Sequence, residues 1–231
     1  MDALQLLAEA EIDIEGRMPW SSNATFLCNL LVEGELTAQA IYKPHKGERP
    51  LWDFPSGLYQ REVAAYRLTS FLGWGGVPPT IIREGKFGVG SLQLFMPSDF
   101  EEHYFTIYEK REDLHDQLRA ICAFDVLSNN TDRKAGHCLM GLDDNVWAID
   151  QGLCFAAEFK LRTVIWDFGN EQLPESLIPA IEKLIVDIPE DIAELLQDDE
   201  VIALQERAEE LLLEGLFPTD PSGRRHPWPL V

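Results

Sequence analysis

The chain has 231 residues, 45 % of them hydrophobic, with 19 basic against 40 acidic side chains and a net charge of −21. That length and apolar content suit one large domain or two lobes sharing a cleft. The acidic excess argues against general nucleic-acid binding and against docking on an anionic membrane, so an anionic ligand needs a local cluster of cations.

Cys28, Cys122, Cys138 and Cys154 form no CxxC pair and stand among apolar or small residues, which predicts reduced core thiols and no zinc site. No apolar run approaches the ~20 residues of a membrane helix, and Met1-Asp2-Ala3 lacks the basic flank of a secretory signal. A cytoplasmic protein without stable membrane association is expected.

In chain order, Ile12 to Gly16, Thr25 to Val32 and Leu36 to Tyr42 read as three antiparallel strands, the last two joined at Glu33-Gly34-Glu35. Between the first two lies Arg17 to Ala24, whose small polar residues Ser21, Ser22 and Asn23 could offer donors to an anion. Without a GxGxxG it could equally be a plain hairpin. Lys43 ends the third strand, where Pro44 stops ladder pairing.

A helix is expected from about Tyr59 to Phe71, with Glu62 in its first turns and apolar positions at three- and four-residue spacing. Taken singly, Lys43 and Glu62 would be ordinary surface charges. Their order (strand, Lys, helix, Glu, then a downstream Asp pair) is how kinase-like sites fix an ammonium against nucleotide phosphates. Thr80 to Arg83 and Gly88 to Phe95 read as two more strands, ending at a hinge, Met96-Pro97. Leu94, Phe95 and Met96 are candidates for an adenine wall, although core packing is the commoner fate of such residues.

Arg111 to Ser128 is the clearest amphipathic helix, with Leu114, Leu118, Ile121 and Cys122 on one face and Asp125 on its continuation. A carboxylate there needs donors, expected from the backbone of the loop Asn129 to Lys134. Asp132 lies on that loop. Cys138 to Leu142 and Asn145 to Ile149 form a hairpin from which Asp150 emerges, close to Gly152, whose missing side chain would let backbone or phosphate approach. Both carboxylate sites also read as turns, Asx-type at Asn129 to Lys134. Arg133 and Lys134 add positive charge beside the carboxylates, either focusing the field of the cleft or forming an ordinary exposed pair. Trp166-Asp167-Phe168-Gly169 follows no catalytic loop or strand hairpin and is expected to be a helix start or a turn. Leu177 to Val186 and Pro189 to Leu213 are expected as two further helices, and Pro218 to Val231 as an extended, partly ordered tail.

Asn130-Thr131-Asp132-Arg133, with Ala148-Ile149-Asp150-Gln151-Gly152 downstream, resembles the catalytic and metal-binding motifs of the phosphatidylinositol 3-/4-kinase superfamily. The likeness is nearest to its small bacterial kinase-like branch and more distant to HipA-type kinases; it runs from about Ile12 to Phe168. The resemblance implies an α+β, two-lobed protein-kinase-like fold with a β-rich N-lobe (about 1–96) and a mainly helical C-lobe (about 97–217). It makes Ser21, Ser22 and Asn23 the phosphate-covering loop, Lys43 the phosphate-binding lysine and Glu62 its partner. Asp132 becomes the catalytic aspartate, supported by Arg133, and Asp150 the metal ligand. His137 stands where the family usually carries a metal-binding asparagine. Its imidazole is open to four readings: metal ligand favouring manganese, phosphate contact, mark of reduced activity, or hairpin cap.

The expected activity is transfer of the γ-phosphate of ATP, with Mg2+ or Mn2+, to a hydroxyl of a protein or a soluble small molecule, sugars and antibiotics included. A nucleotide-binding pseudokinase is the alternative.

Overall fold

Glu33 and Gly34 both take positive φ, 53° and 83°, the combination of a two-residue type I′ hairpin. That turn joins β2 (Phe26–Val32) to β3 (Glu35–Pro44). With β1 (Glu11–Arg17), β4 (Thr80–Gly85) and β5 (Gly88–Leu94) these form an antiparallel sheet in the order β1-β2-β3-β5-β4. The computed structural model describes residues 1–19, 21 and 23–231.

Side chains alternate across β2 and β3 as a half-buried sheet requires. Cys28, Leu30, Ala40 and Tyr42 bury on one face with Leu92, under Leu7 of α1 (Ala3–Glu9). The opposite face, carrying Ile41 and Lys43, looks into the cleft.

α2 (Leu58–Leu72) ends in a Schellman motif. Gly73 adopts φ 70°, its N–H and that of Trp74 closing onto the carbonyls of Ser70 and Thr69. Its buried face, Val63, Ala64, Leu68 and Leu72, joins the large core of the helical part rather than the core of the sheet. Arg61 and Glu200, both buried, form an ion pair that ties α2 to the last helix.

The second half holds β6 (Ser98–Asp99), α3 (Tyr104–Lys110), α4 (His115–Ser128), β7 (Cys138–Gly141), β8 (Val146–Ala148), α5 (Ile178–Val186), α6 (Glu190–Ala193) and α7 (Asp198–Glu214). β6, β7 and β8 pair as a small second sheet. The architecture is therefore α+β, with a sheet-rich first part and a helical second part.

Several elements depart from the sequence expectation. The helix expected over Pro189 to Leu213 breaks into α6 and α7, because Gln197 caps a new start and Glu200 reaches back to its N–H at 3.0 Å. The helix expected from Arg111 begins with a 3-10 turn, Glu112–Leu114. Helices α1 and α3 were not anticipated. The tail carries no helix or strand, yet it is pinned: Leu230 and Arg225 offer their carbonyls to the N–H groups of Ala135 (2.7 Å) and Thr163 (3.2 Å). Asp167 accepts the Tyr104 hydroxyl at 2.7 Å within its turn. All four cysteines are buried and unpaired. Among the described residues no helix is long and apolar enough to cross a membrane.

Candidate active site

The cleft between the two parts is organised by one ammonium. Lys43 Nζ donates to Glu62 Oε1 and, at 2.8 Å, to Asp150 Oδ1. The second oxygen of Glu62 accepts the Gln151 N–H at 3.0 Å, so a single buried carboxylate holds both the lysine and the backbone just past Asp150. Burial alone would lower the Lys43 ammonium, but the Asp150 and Glu62 carboxylates outweigh it and hold the group above its ordinary value. Reciprocally, Lys43 pulls Asp150 well below the usual carboxylate range, against the opposing effect of burial. Asp150 itself sits at φ 61°, a left-handed conformation that strains a residue with a Cβ. Its side chain remains 51 % exposed.

The loop bearing Asp132 is launched by the end of α4. Asn129 takes the left-handed position of a second Schellman motif (φ 50°), its N–H and that of Asn130 returning to the carbonyls of Val126 and Asp125. Asn129 Nδ2 then donates to the carbonyls of Ala156 and Glu158 (2.8 and 2.7 Å), and its Oδ1 accepts the Lys160 N–H at 2.9 Å. Asn130 Oδ1 accepts the Asp132 N–H at 3.0 Å, an Asx turn that aims the aspartate. The turn and the functional reading of this loop are therefore compatible.

Asp132 pairs with Lys134 Nζ and is partly exposed. Burial raises its carboxyl above the ordinary value, with Lys134 opposing.

Two expectations about this loop are corrected. Arg133 does not supply charge to the cleft: its side chain is 0 % exposed, forked onto Asp125 at 2.9 to 3.1 Å, with further bonds to the Ile149 carbonyl and Gln151 Oε1 (both 2.9 Å). It lies behind the loop and positions it. The donors to the Asp125 carboxylate are likewise side chains rather than loop backbone, namely Arg133, Asn130 Nδ2 (3.0 Å) and Thr163 Oγ1 (3.0 Å). The Cys154 and Phe155 corner closes the same region, Phe155 adopting φ 70°.

His137 closes the turn Ala135–His137 ahead of β7. Its Nδ1 accepts the Lys134 N–H at 3.4 Å, and its Nε2 lies 3.6 Å from Asp150 Oδ2. Burial lowers its pKa to about 4, although Asp150 pulls the other way, so the ring is neutral at pH 7. Among the described residues no three His, Cys, Asp or Glu side chains converge as a metal cage. One half-exposed carboxylate facing an open cleft fits a hard divalent cation shared with phosphate oxygens, the usual arrangement for Mg2+.

Leu94, Phe95 and Met96, the candidates for an adenine wall, line the cleft, joined by Ile41 of β3 and by Leu139 and Ile149 from the hairpin below. Phe95 N–H is already bonded to the Gln39 carbonyl at 3.0 Å. Ser21 lines the cleft, its hydroxyl paired with Thr25 at 2.7 Å. Asn23 instead accepts the Arg49 N–H at 2.9 Å and braces the loop; Ser22 lies outside the described residues. The loop rests on Gly47, where an added Cβ would meet the Ala24 Cβ at 2.5 Å. A Cβ at Gly152 would make ordinary contacts, 3.5 Å with Glu62 and 3.6 to 3.8 Å with Leu58.

Residues the sequence did not mark are Lys134 as the partner of Asp132, Asn129 and Asn130 as loop anchors, and Ile41, Leu139 and Ile149 as cleft walls. Ile41 had a signal: it lies two positions before Lys43, on the same face of one strand.

No protein-family model matches the chain. It is 37 % identical over an alignment of 265 positions to Protein Rv2133c of Mycobacterium tuberculosis (strain ATCC 25618 / H37Rv), covering 99 % of this chain and 95 % of that one. The chain belongs to the Rv2133c family. Among solved structures, this member of the Rv2133c family is similar to the Golgi casein kinase with Mn/ADP bound, with a TM-score of 0.55, 13 % identity, and 99 % and 79 % of the two chains covered. It is also similar to hydra Fam20 with sugar, with a TM-score of 0.54, 14 % identity, and 91 % and 86 % covered. At these identities the likeness concerns the fold, which is protein-kinase-like.

Proposed function

We propose that this Rv2133c-family chain is an ATP-dependent phosphotransferase of phosphatidylinositol 3-/4-kinase-like type, acting on a hydroxyl of a protein or soluble small molecule. The observation that carries the reading is Lys43 held at once by Glu62 and Asp150 in the cleft of a kinase-like fold. An ammonium fixed there, above its ordinary pKa, stays charged and ready for nucleotide phosphates. Asp150 would hold Mg2+ or Mn2+, which when bound neutralises phosphate charge. Asp132 orients the acceptor hydroxyl and takes its proton, Lys134 keeping the carboxylate in place. Leu94, Phe95 and Met96 with Ile41, Leu139 and Ile149 enclose the base.

Thermal unfolding with ATP and Mg2+, Mn2+ or chelator tests this. A ligand at ~100 times its dissociation constant adds about 2.7 kcal/mol, a shift of roughly 5–10 °C for a chain of this size. The reading expects a metal-dependent shift that Asp150→Ala abolishes; absence of any shift with ATP sinks it. A pseudokinase is the second reading, favoured by Asp132 and Asp150 both being engaged by lysines. It expects a shift that chelator leaves intact and no turnover.

A further inference from the structure

We infer that His137 is a hydrogen-bond donor to a nucleotide phosphate and not a metal ligand, so that the cleft takes a single divalent cation, through Asp150. The inference rests on the nucleotide-binding reading above.

The Lys134 backbone N–H is directed at His137 Nδ1 at 3.4 Å. A ring nitrogen that accepts a hydrogen bond carries no proton, so the proton of the neutral ring is on Nε2. Ligation through Nε2 needs the lone pair of that nitrogen, which moves the proton to Nδ1. There it would face the Lys134 N–H head-on. Turning the ring over would point carbon at the same N–H and leave it without a protein partner in a half-buried turn, at a cost of up to a lost hydrogen bond.

Moving the backbone is no easier. The His137 N–H is bonded to the Lys134 carbonyl at 3.1 Å, and its own carbonyl accepts the Ile149 N–H at 2.9 Å. The turn therefore presents a fixed N–H to the cleft, 3.6 Å from Asp150 Oδ2. Each aspartate has one oxygen engaged by a lysine, but Asp150 is the more exposed, 51 % against 28 %, and its Oδ2 has only the 3.6 Å approach of His137, so Asp150 is the carboxylate placed to share a cation with phosphate. His137 beside it offers what an anionic phosphate oxygen takes, a donor, as Lys43 does on the other side.

Mn2+ titrated into the full chain with a non-hydrolysable ATP analogue, read by electron paramagnetic resonance, gives both the number of bound ions and any nitrogen bonded to them. One Mn2+ per chain without a directly bonded imidazole nitrogen is expected. In His137→Ala that count persists while affinity for the analogue falls roughly five- to tenfold. His137→Gln, which keeps an N–H donor, recovers part of the loss. Two ions per chain, or an imidazole nitrogen coupling in the native chain, overturns the inference even if neither variant folds. Unchanged affinity in a folded His137→Ala overturns the donor role. Absence of any Mn2+–analogue binding by the native chain overturns the nucleotide reading itself, and this inference with it.

Discussion

Two clusters of charge lie back to back in this molecule and differ in one respect, saturation. Behind the loop, Asp125 and Arg133 are both 0 % exposed, and both Asp125 oxygens are bonded, with Asn130 and Thr163 joining the guanidinium. In front of it, Lys43 and Asp150 are 21 % and 51 % exposed, and the carboxylate bonds the lysine through one oxygen while the other faces His137 without a short contact. A dry, saturated pair has no free energy to gain from a ligand and serves to hold a shape. A half-wet, unsaturated one can exchange partners at small cost. Position along the chain says nothing of this: Asp132 and Arg133 are neighbours, and one is partly exposed beside Lys134 while the other is buried in the core.

The largest effect should come from breaking the saturated cluster. Asp125→Ala leaves Arg133 charged, buried and unpaired, and is expected to cost about 3–5 kcal/mol of unfolding free energy. Urea denaturation measures it. The paired change Asp125→Leu with Arg133→Met removes both charges and should recover most of that loss; a double variant as unstable as the single one would mean that the ion pair is not what holds the loop.

The open cluster should respond in the opposite sense. Asp132→Asn is expected to lower turnover by roughly 10²–10⁴-fold, the range of a positioned acid or base, while unfolding free energy stays within about 0.5 kcal/mol. If the two properties fall together, Asp132 belongs with the structural set and the contrast between the clusters fails.

How far this could be foreseen follows from how local each signal is. The strands alternate with period two, and the Asp132 and Asp150 motifs each occupy a few consecutive residues, so both were legible without a structure. Helix α3 was not, since its sequence, rich in aromatic and β-branched residues, has poor helix propensity; it forms because Tyr104 and Ile107 bury. The break between α6 and α7 serves Glu200, whose partner Arg61 is distant in sequence, and periodicity carries no trace of such a pairing. The sequence predicts Arg133 as an exposed cation, in the cleft or as part of an ordinary surface pair, because adjacency to Lys134 suggests a basic patch, and only the loop's path sends the two side chains to opposite sides.

An intermediate effect is expected where the cluster meets its cover. Gly47→Ala would press a methyl group into Ala24, whose Cβ lies 2.5 Å from the new one. The loop proposed to cover the phosphates must lift, at about 1–3 kcal/mol by the usual cost of overpacking. Affinity for ATP should fall while Asp125 and its network keep their hydrogen-exchange protection. Loss of that protection would show the two clusters to be one cooperative unit.

The smallest effect separates the carboxylate of Asp150 from its backbone. Both Asp150→Ala and Asp150→Gly delete the side chain that bonds Lys43, so they lose the same ion pair and should lose metal-dependent nucleotide binding alike. They differ in what φ 61° costs them. Alanine keeps the left-handed strain, worth roughly 1–2 kcal/mol, whereas glycine is free of it but forfeits about 0.5–1 kcal/mol of chain entropy. Asp150→Gly should therefore be the more stable of the two by about 0.5–1 kcal/mol, measured by urea denaturation side by side. Equal stabilities would mean that the Glu62–Gln151 bond does not hold the backbone in that conformation once the carboxylate is gone, and that the lysine, not the helix partner, sets the shape of the open cluster.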